Sequence, residues 1–202
     1  MATGPRYHHG DLRAALVERG TEMLAEGGVD ALSLRELARD LGVSHGAPSR
    51  HFPDKQALLD GLAINGFEAL RDELAAALLA AGPDATFIDK LTALAAVHVR
   101  FAVRNTALLT VMFAAKHSLQ APAELRAAAE RAFAAPLAAI GRGQEHGEVV
   151  AGPIEEIGTT ILATIHGFAA LLAGGLIEPD DSGDLLAATM ARLVDGLRPR
   201  PS

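Results

Sequence analysis

The sequence predicts an all-α protein, with a small N-terminal helix-turn-helix unit followed by a larger helical region, and three observations carry that prediction. Half of the 202 residues are apolar, with one Tyr and no Trp, and the dominance of Ala and Leu favours helix. Apolar side chains recur at spacings of three and four, and no alternating β-branched run suggests a strand. The stretch ALSLRELARDLGVSHGAPSRHFPDKQALL, from Ala31 to Leu59, spells two short helices separated by a glycine turn and followed by a longer helix.

Residues 12–26 read as the first helix, with Leu12, Ala15, Leu16, Met23 and Leu24 on one side and Gly27-Gly28 as terminator. Ser33-Leu34-Arg35-Glu36 reads as a capping box, in which the Ser33 hydroxyl accepts a first-turn N–H and Glu36 reaches back to the Ser33 N–H. Leu34, Leu37, Ala38 and Leu41 then form one apolar face, and Gly42 supplies a left-handed C′ residue. Val43 anchors the turn, and Ser44 is expected to cap a second helix carrying His45, Gly46, Ala47, Ser49, Arg50 and His51. Pro48 has no N–H, so this helix must be short or begin late. Phe52 closes the motif, Asp54 is the expected N-cap of the next helix, and Lys55 lies in its opening turn. A lysine there opposes the helix macrodipole, a cost that an anionic partner such as a DNA phosphate would reverse. Taken alone, the pattern fits two helices and a glycine turn in any helical protein as well as a DNA reader.

The Lys55 helix keeps an apolar face through Leu58, Leu59, Leu62, Phe67, Leu70 and Leu74 until Gly82-Pro83, so one helix belongs to both halves. Further helices are expected at about 85–104, 106–117, 122–146, 153–177 and 184–197, with loops at Asn105, 118–121, 147–152 and 179–183. The last two helices are apolar over a wider arc than one neighbour requires. Either both are buried inside one domain, or they form a self-association face in which two copies build a four-helix bundle.

Charge complicates the DNA reading. The formal net charge is −7, and residues 1–55 hold 7 Lys/Arg against 8 Asp/Glu. The acids gather in the first helix and on outer faces, whereas the second motif helix carries His45, Arg50 and His51 with no acid before Asp54. The absence of Cys excludes disulfides, thiolate metal sites and thiol nucleophiles and is compatible with a reducing cytoplasm. The opening MATGPRYHHGDLR has no apolar core of secretory type, and no apolar run of membrane-spanning length is expected. An enzyme finds little support: HExxH, a nucleophile elbow, a phosphate loop and paired Glu-x-x-His repeats are all missing. A metal sensor built on His98, His117 and His166 lacks Cys or a His/acid pair at i, i+4. A helical interaction module without DNA binding is the remaining alternative, favoured by the acidic charge.

The arrangement as a whole resembles the TetR family of bacterial transcriptional regulators. The resemblance rests on a starting helix, the string SLRELARDLGVSHGAPSRHFPDKQALL, a shared long helix and an all-α remainder, and it extends over the full chain. YHHGDLR, HVRFAVRN-TALLTVMF and Ile165-His166-Gly167 are similar to the subgroup named for a Trp-His-Gly triplet, with Ile165 in place of the Trp. The resemblance implies a DNA-binding domain over residues 1–55 and a helical effector-binding and dimerisation domain over 56–202. It further implies that His45, Gly46, Ala47, Ser49 and Arg50 face the major groove while Arg35, Ser44, His51 and Lys55 mainly hold phosphates. Where the family usually carries a Tyr reaching the DNA backbone this chain has Ser49, so either affinity is lower or Arg50 and the Tyr7-His8-His9 arm compensate. Arg50 is the expected base-reading side chain, with a phosphate clamp as the equal alternative. An effector chamber lined by Phe87, His98, Phe101, Met112, Phe113, His117, Phe133 and His166 is implied for the C-terminal half. The expected protein is a cytoplasmic homodimeric repressor, paired through its last two helices on a palindromic operator and released by a small molecule, with no metal, cofactor or membrane partner.

Overall fold

The computed structural model describes residues 12–116 and 118–198. Eight α-helices occur among them, and no strand: α1 Leu12–Ala31, α2 Leu34–Asp40, α3 Lys55–Ala81, α4 Phe87–Arg104, α5 Thr106–Lys116, α6 Ala123–Glu145, α7 Ile154–Ala173 and α8 Ser182–Leu197. Single 3-10 turns span Pro48–Arg50 and Pro179–Asp181. The chain divides into two compact units. The first contains the described residues as far as Gly66 together with Ala107–Ala127, and the second contains Phe67–Thr106 with the described residues from Ala128 onward. Helix α3 therefore contributes to both.

In the first unit, α1 buries Ala15, Leu16, Met23 and Leu24, as its periodicity predicts, and breaks at Gly28. Only half of the expected capping box forms at α2. The Glu36 N–H donates to Ser33 Oγ at 3.4 Å, but the Glu36 carboxylate turns to Arg39, 3.6 Å away, because an arginine one turn along competes for it. Helix α2 buries Leu37 and Ala38. It ends in a Schellman motif: the Gly42 N–H donates to the Arg39 carbonyl at 3.1 Å and the Val43 N–H to the Ala38 carbonyl at 3.0 Å. Gly42 stands at φ 65°, a conformation that a Cβ disfavours.

A complete capping box forms at the start of α4. The Asp89 N–H donates to Thr86 Oγ1 at 3.3 Å and the Thr86 N–H donates to Asp89 Oδ2 at 3.1 Å. Hydrogen bonds from the Thr86 hydroxyl and N–H hold the Asp89 carboxyl below its ordinary pKa. In the second unit α4 lies against α7 and α8. Its Leu91, Leu94, Ala95 and Phe101 are buried, as are Ile157, Ile161, Ile165 and Phe168 of α7 and Leu186, Met190 and Val194 of α8. The N-terminus of α4 is tied down by Glu148, whose Oε2 accepts the Phe87 N–H at 2.8 Å.

Two expectations for α7 need correction. The helix stops at Ala173 instead of 177, because Gly175 at φ 72° opens a second Schellman motif, with the Leu176 N–H donating to the Leu171 carbonyl at 2.9 Å. It is also, by length and composition, apolar enough to cross a membrane, with a mean hydropathy of 1.4 in its most apolar stretch. The polar breaks from Ile157 to Ala173 are Thr, Gly and His, with no Asp, Glu, Lys or Arg among them. Here α7 serves as a bundle helix, its buried side against α4.

Candidate nucleic-acid interface

The segment between α2 and α3 is less helical than the sequence suggests. His45 and Gly46 lie in a turn, and the expected second helix is one 3-10 turn with Pro48 in its opening position, where the missing N–H costs nothing. Ser44 does not cap through its hydroxyl. Its carbonyl accepts the Ala47 N–H at 2.9 Å, and the turn continues with the His51 and Phe52 N–H groups both donating to the Pro48 carbonyl at 2.9 Å.

Pro48 and Phe52 anchor this turn from beneath, both almost fully buried. The Arg13 guanidinium lies 5.4 Å from the centre of the Phe52 ring. On α3, Gly61 leaves room for that ring, since a Cβ there would stand 2.6 Å from Phe52 Cε1. Sequence reasoning missed both partners. A buried aromatic announces that it needs a cavity, but nothing local says which glycine provides it.

With Pro48 and Phe52 turned inward, Ser44, His45, Gly46, Ser49, Arg50, His51 and Lys55 are exposed, as is Arg35 on α2, while Ala47 is half-buried. All nine expected DNA contacts thus lie in the segment from α2 to the first residue of α3. The Tyr7-His8-His9 arm lies outside the described residues.

Five acids of this unit are held by arginines or by a helix start. Arg19 draws Asp40 at 3.0 Å, Glu22 at 2.8 Å and Glu26 at 3.3 Å, and these bonds raise the pKa of its guanidinium further. Glu36 and Asp40 also face Arg39, at 3.6 and 3.7 Å. Asp54 caps α3, its Oδ1 accepting the Ala57 N–H at 2.8 Å. Among the described residues no acid forms an ion pair with Arg35, Arg50 or Lys55. A nearly balanced residue count therefore conceals an uneven field: Glu22, Glu26, Glu36 and Asp40 face arginines, whereas Arg35, Arg50 and Lys55 form no ion pair among the described residues and Asp54 is the one acid between Ser44 and Lys55.

Five residues of the expected effector chamber, Phe87, His98, Phe101, Phe133 and His166, lie in the second unit, and Met112 and Phe113 lie in the first. His117 lies outside the described residues. His98 and His166 come together, with ring centres 5.8 Å apart, and Phe133 meets Phe67 edge to face at 6.3 Å. Phe87 sits where a Cβ on Gly143 would be 3.1 Å from its ring. Met112 lies over Gly66, whose Cβ would be 2.6 Å from the Met112 sulfur. Burial holds His98 in its neutral form, lowering its pKa to about 4, with the neighbouring His166 adding to the shift.

Comparison with known proteins agrees with this geometry. Residues 16–62 match the family model described as bacterial regulatory proteins, tetR family, and residues 91–196 match a tetracyclin repressor-like C-terminal domain. A protein of unknown function from Rhodococcus sp. RHA1 is 36% identical, with a TM-score of 0.87 over 97% of this chain and 100% of its own. A putative tetR family transcription regulator from Shewanella sp. PV-4 is 19% identical, with a TM-score of 0.73 over 94% of this chain and 99% of its own. A TetR family transcription regulator from Marinobacter aquaeolei VT8 is 20% identical, with a TM-score of 0.74 over 94% and 97% of the two chains. No curated protein matches. Through its helix-turn-helix and its C-terminal domain, the chain belongs to the TetR family of DNA-binding bacterial transcriptional regulators.

Proposed function

We propose that the protein is a repressor, without a catalytic step of its own, that binds a palindromic operator as a homodimer and leaves it when a small molecule binds the C-terminal region. In this reading residues 1–55 read DNA, and residues 56–202 bind the effector and hold the two subunits together. The observation that carries the proposal is the exposed turn from Ser44 to Lys55, with buried Pro48 and Phe52 beneath it and Arg50 and Lys55 free of acidic partners. Arg50 reads a base edge or clamps a phosphate from this turn, and Lys55 holds a phosphate. Ser49 leaves that duty to fewer side chains. Reading helices of such dimers sit about 34 to 36 Å apart, one duplex turn, which is the spacing an effector would disturb.

Helices α7 and α8 supply the proposed subunit contact. Only 28% of the most apolar stretch of α7 is buried within the chain, and Leu171 and Leu185 are exposed. Apolar surface of this extent marks an interaction face. A gel-shift with the gene's own upstream region tests the reading. A salt-sensitive, sequence-selective complex weakened by Arg50→Ala and by Lys55→Ala is expected, and binding that ignores both substitutions refutes the site. A monomer in light scattering at micromolar concentration refutes the subunit contact.

A further inference from the structure

His98 is an anomaly in the second unit. It is 3% exposed, and among the described residues its Nε2 has no hydrogen-bond partner. At the same-face spacings around it α4 presents Leu94, Phe101 and Ala102, all buried and apolar. Leaving a buried polar atom unpaired costs free energy that an apolar side chain of similar size would avoid. Beside it lies the polar ring of His166 of α7, with ring centres 5.8 Å apart. Two imidazoles at one helix–helix seam, with Leu94, Phe101 and Ala102 around the first, have the residue make-up of a small-molecule site: apolar surroundings with a few convergent polar groups.

We propose that His98, beside His166 between α4 and α7, is the polar anchor of a site for an uncharged, mainly apolar molecule bearing one hydrogen-bonding oxygen, such as a ketone or an alcohol. The proposal rests on the effector reading above and specifies its chemistry. Charge selects against the alternatives. Every Asp, Glu, Lys and Arg described on α4, α7 and α8 is exposed or half-buried, so a buried carboxylate or ammonium finds no buried counter-ion of full charge on these helices. His98 itself is held neutral by its burial. A carboxylate would have to bring a proton with it to gain an ion pair here, whereas a carbonyl or hydroxyl oxygen satisfies the imidazole with no change of charge.

The test is 15N NMR of the imidazoles in the full-length protein at neutral pH, titrated with octan-2-one, octan-1-ol, octanoate and octylammonium. These probes share an apolar chain and differ in the head group. Octan-2-one and octan-1-ol are expected to shift the His98 Nε2 resonance, and the two charged probes to bind at least about tenfold more weakly. His98→Leu is expected to weaken octan-1-ol binding by about tenfold or more, the loss of one buried hydrogen bond. A His98 resonance unmoved by both neutral probes, or octanoate or octylammonium binding as tightly as the neutral pair, overturns the proposal. The wild-type titration decides this even if the variant fails to fold. DNA release by a bound probe is measured separately in the gel-shift, so failure of the repressor reading leaves the site result standing.

Discussion

Acid is expected to weaken this protein through one buried imidazole. His98 is 3% exposed, and its pKa falls from the ordinary 6.5 to about 4, mainly because burial penalises the charged ring and secondarily because His166 adjoins it. In the unfolded chain the same ring takes up its proton near 6.5. The folded state binds fewer protons across that interval, so acid favours unfolding. The stability tied to neutral His98 is fully present above 6.5, declines as pH falls towards 4, and is lost below that. A shift of this size corresponds to about 3 kcal/mol in total, of which about 2 kcal/mol is gone near pH 5. Urea denaturation of the native protein and of His98→Leu, each near pH 7.5 and near pH 5, isolates the effect because other titrating groups cancel between the two. The native protein is expected to lose about 2 kcal/mol more than the variant on acidification. Equal losses refute the reasoning and mean that His98 is hydrated or paired in solution.

Three further outcomes follow from the geometry. Gly61→Ala places a methyl group 2.6 Å from the Phe52 ring and is expected to cost about 1 to 3 kcal/mol, read by thermal denaturation, with operator affinity falling as the turn above Phe52 shifts. Thr86→Ala breaks a reciprocal capping box whereas Ser33→Ala breaks a single 3.4 Å bond; the first is expected to cost about 1 kcal/mol and the second less, compared by chemical denaturation. Lys55→Ala is expected to lower the slope of log affinity against log salt by about one while leaving sequence preference intact, whereas Arg50→Ala relaxes preference at one base pair if it reads a base. Competition gel-shifts at several salt concentrations separate the two roles.

Much of the fold was legible because helix signals are short-ranged. The ends of α2 and α3 followed from Gly42, Asp54 and Gly82-Pro83, each of which acts on a backbone within one or two turns. Pro48 foretold a short element between α2 and α3 by the same logic. The errors arose where two local signals competed. Glu36 had a choice between the Ser33 N–H and Arg39, and the geometry favoured the arginine. The apolar pattern of α7 runs through Gly174-Gly175, but Gly175 takes the left-handed conformation that ends the helix.

By itself, the sequence determined the all-α class, the helix order and the location of the turn between α2 and α3, because each depends on periodicity, caps and breakers written within a few residues. Tertiary structure alone decided what surrounds those elements. It assigned Gly61 and Arg13 to Phe52, gathered three acids onto Arg19, linked Glu148 to the start of α4, and set His98 against His166. Apart from the bonds of Arg19 to Glu22 and Glu26 within α1, these pairings join residues on different elements, and which side chains meet is fixed by how helices pack, a property of the folded whole that no local pattern encodes.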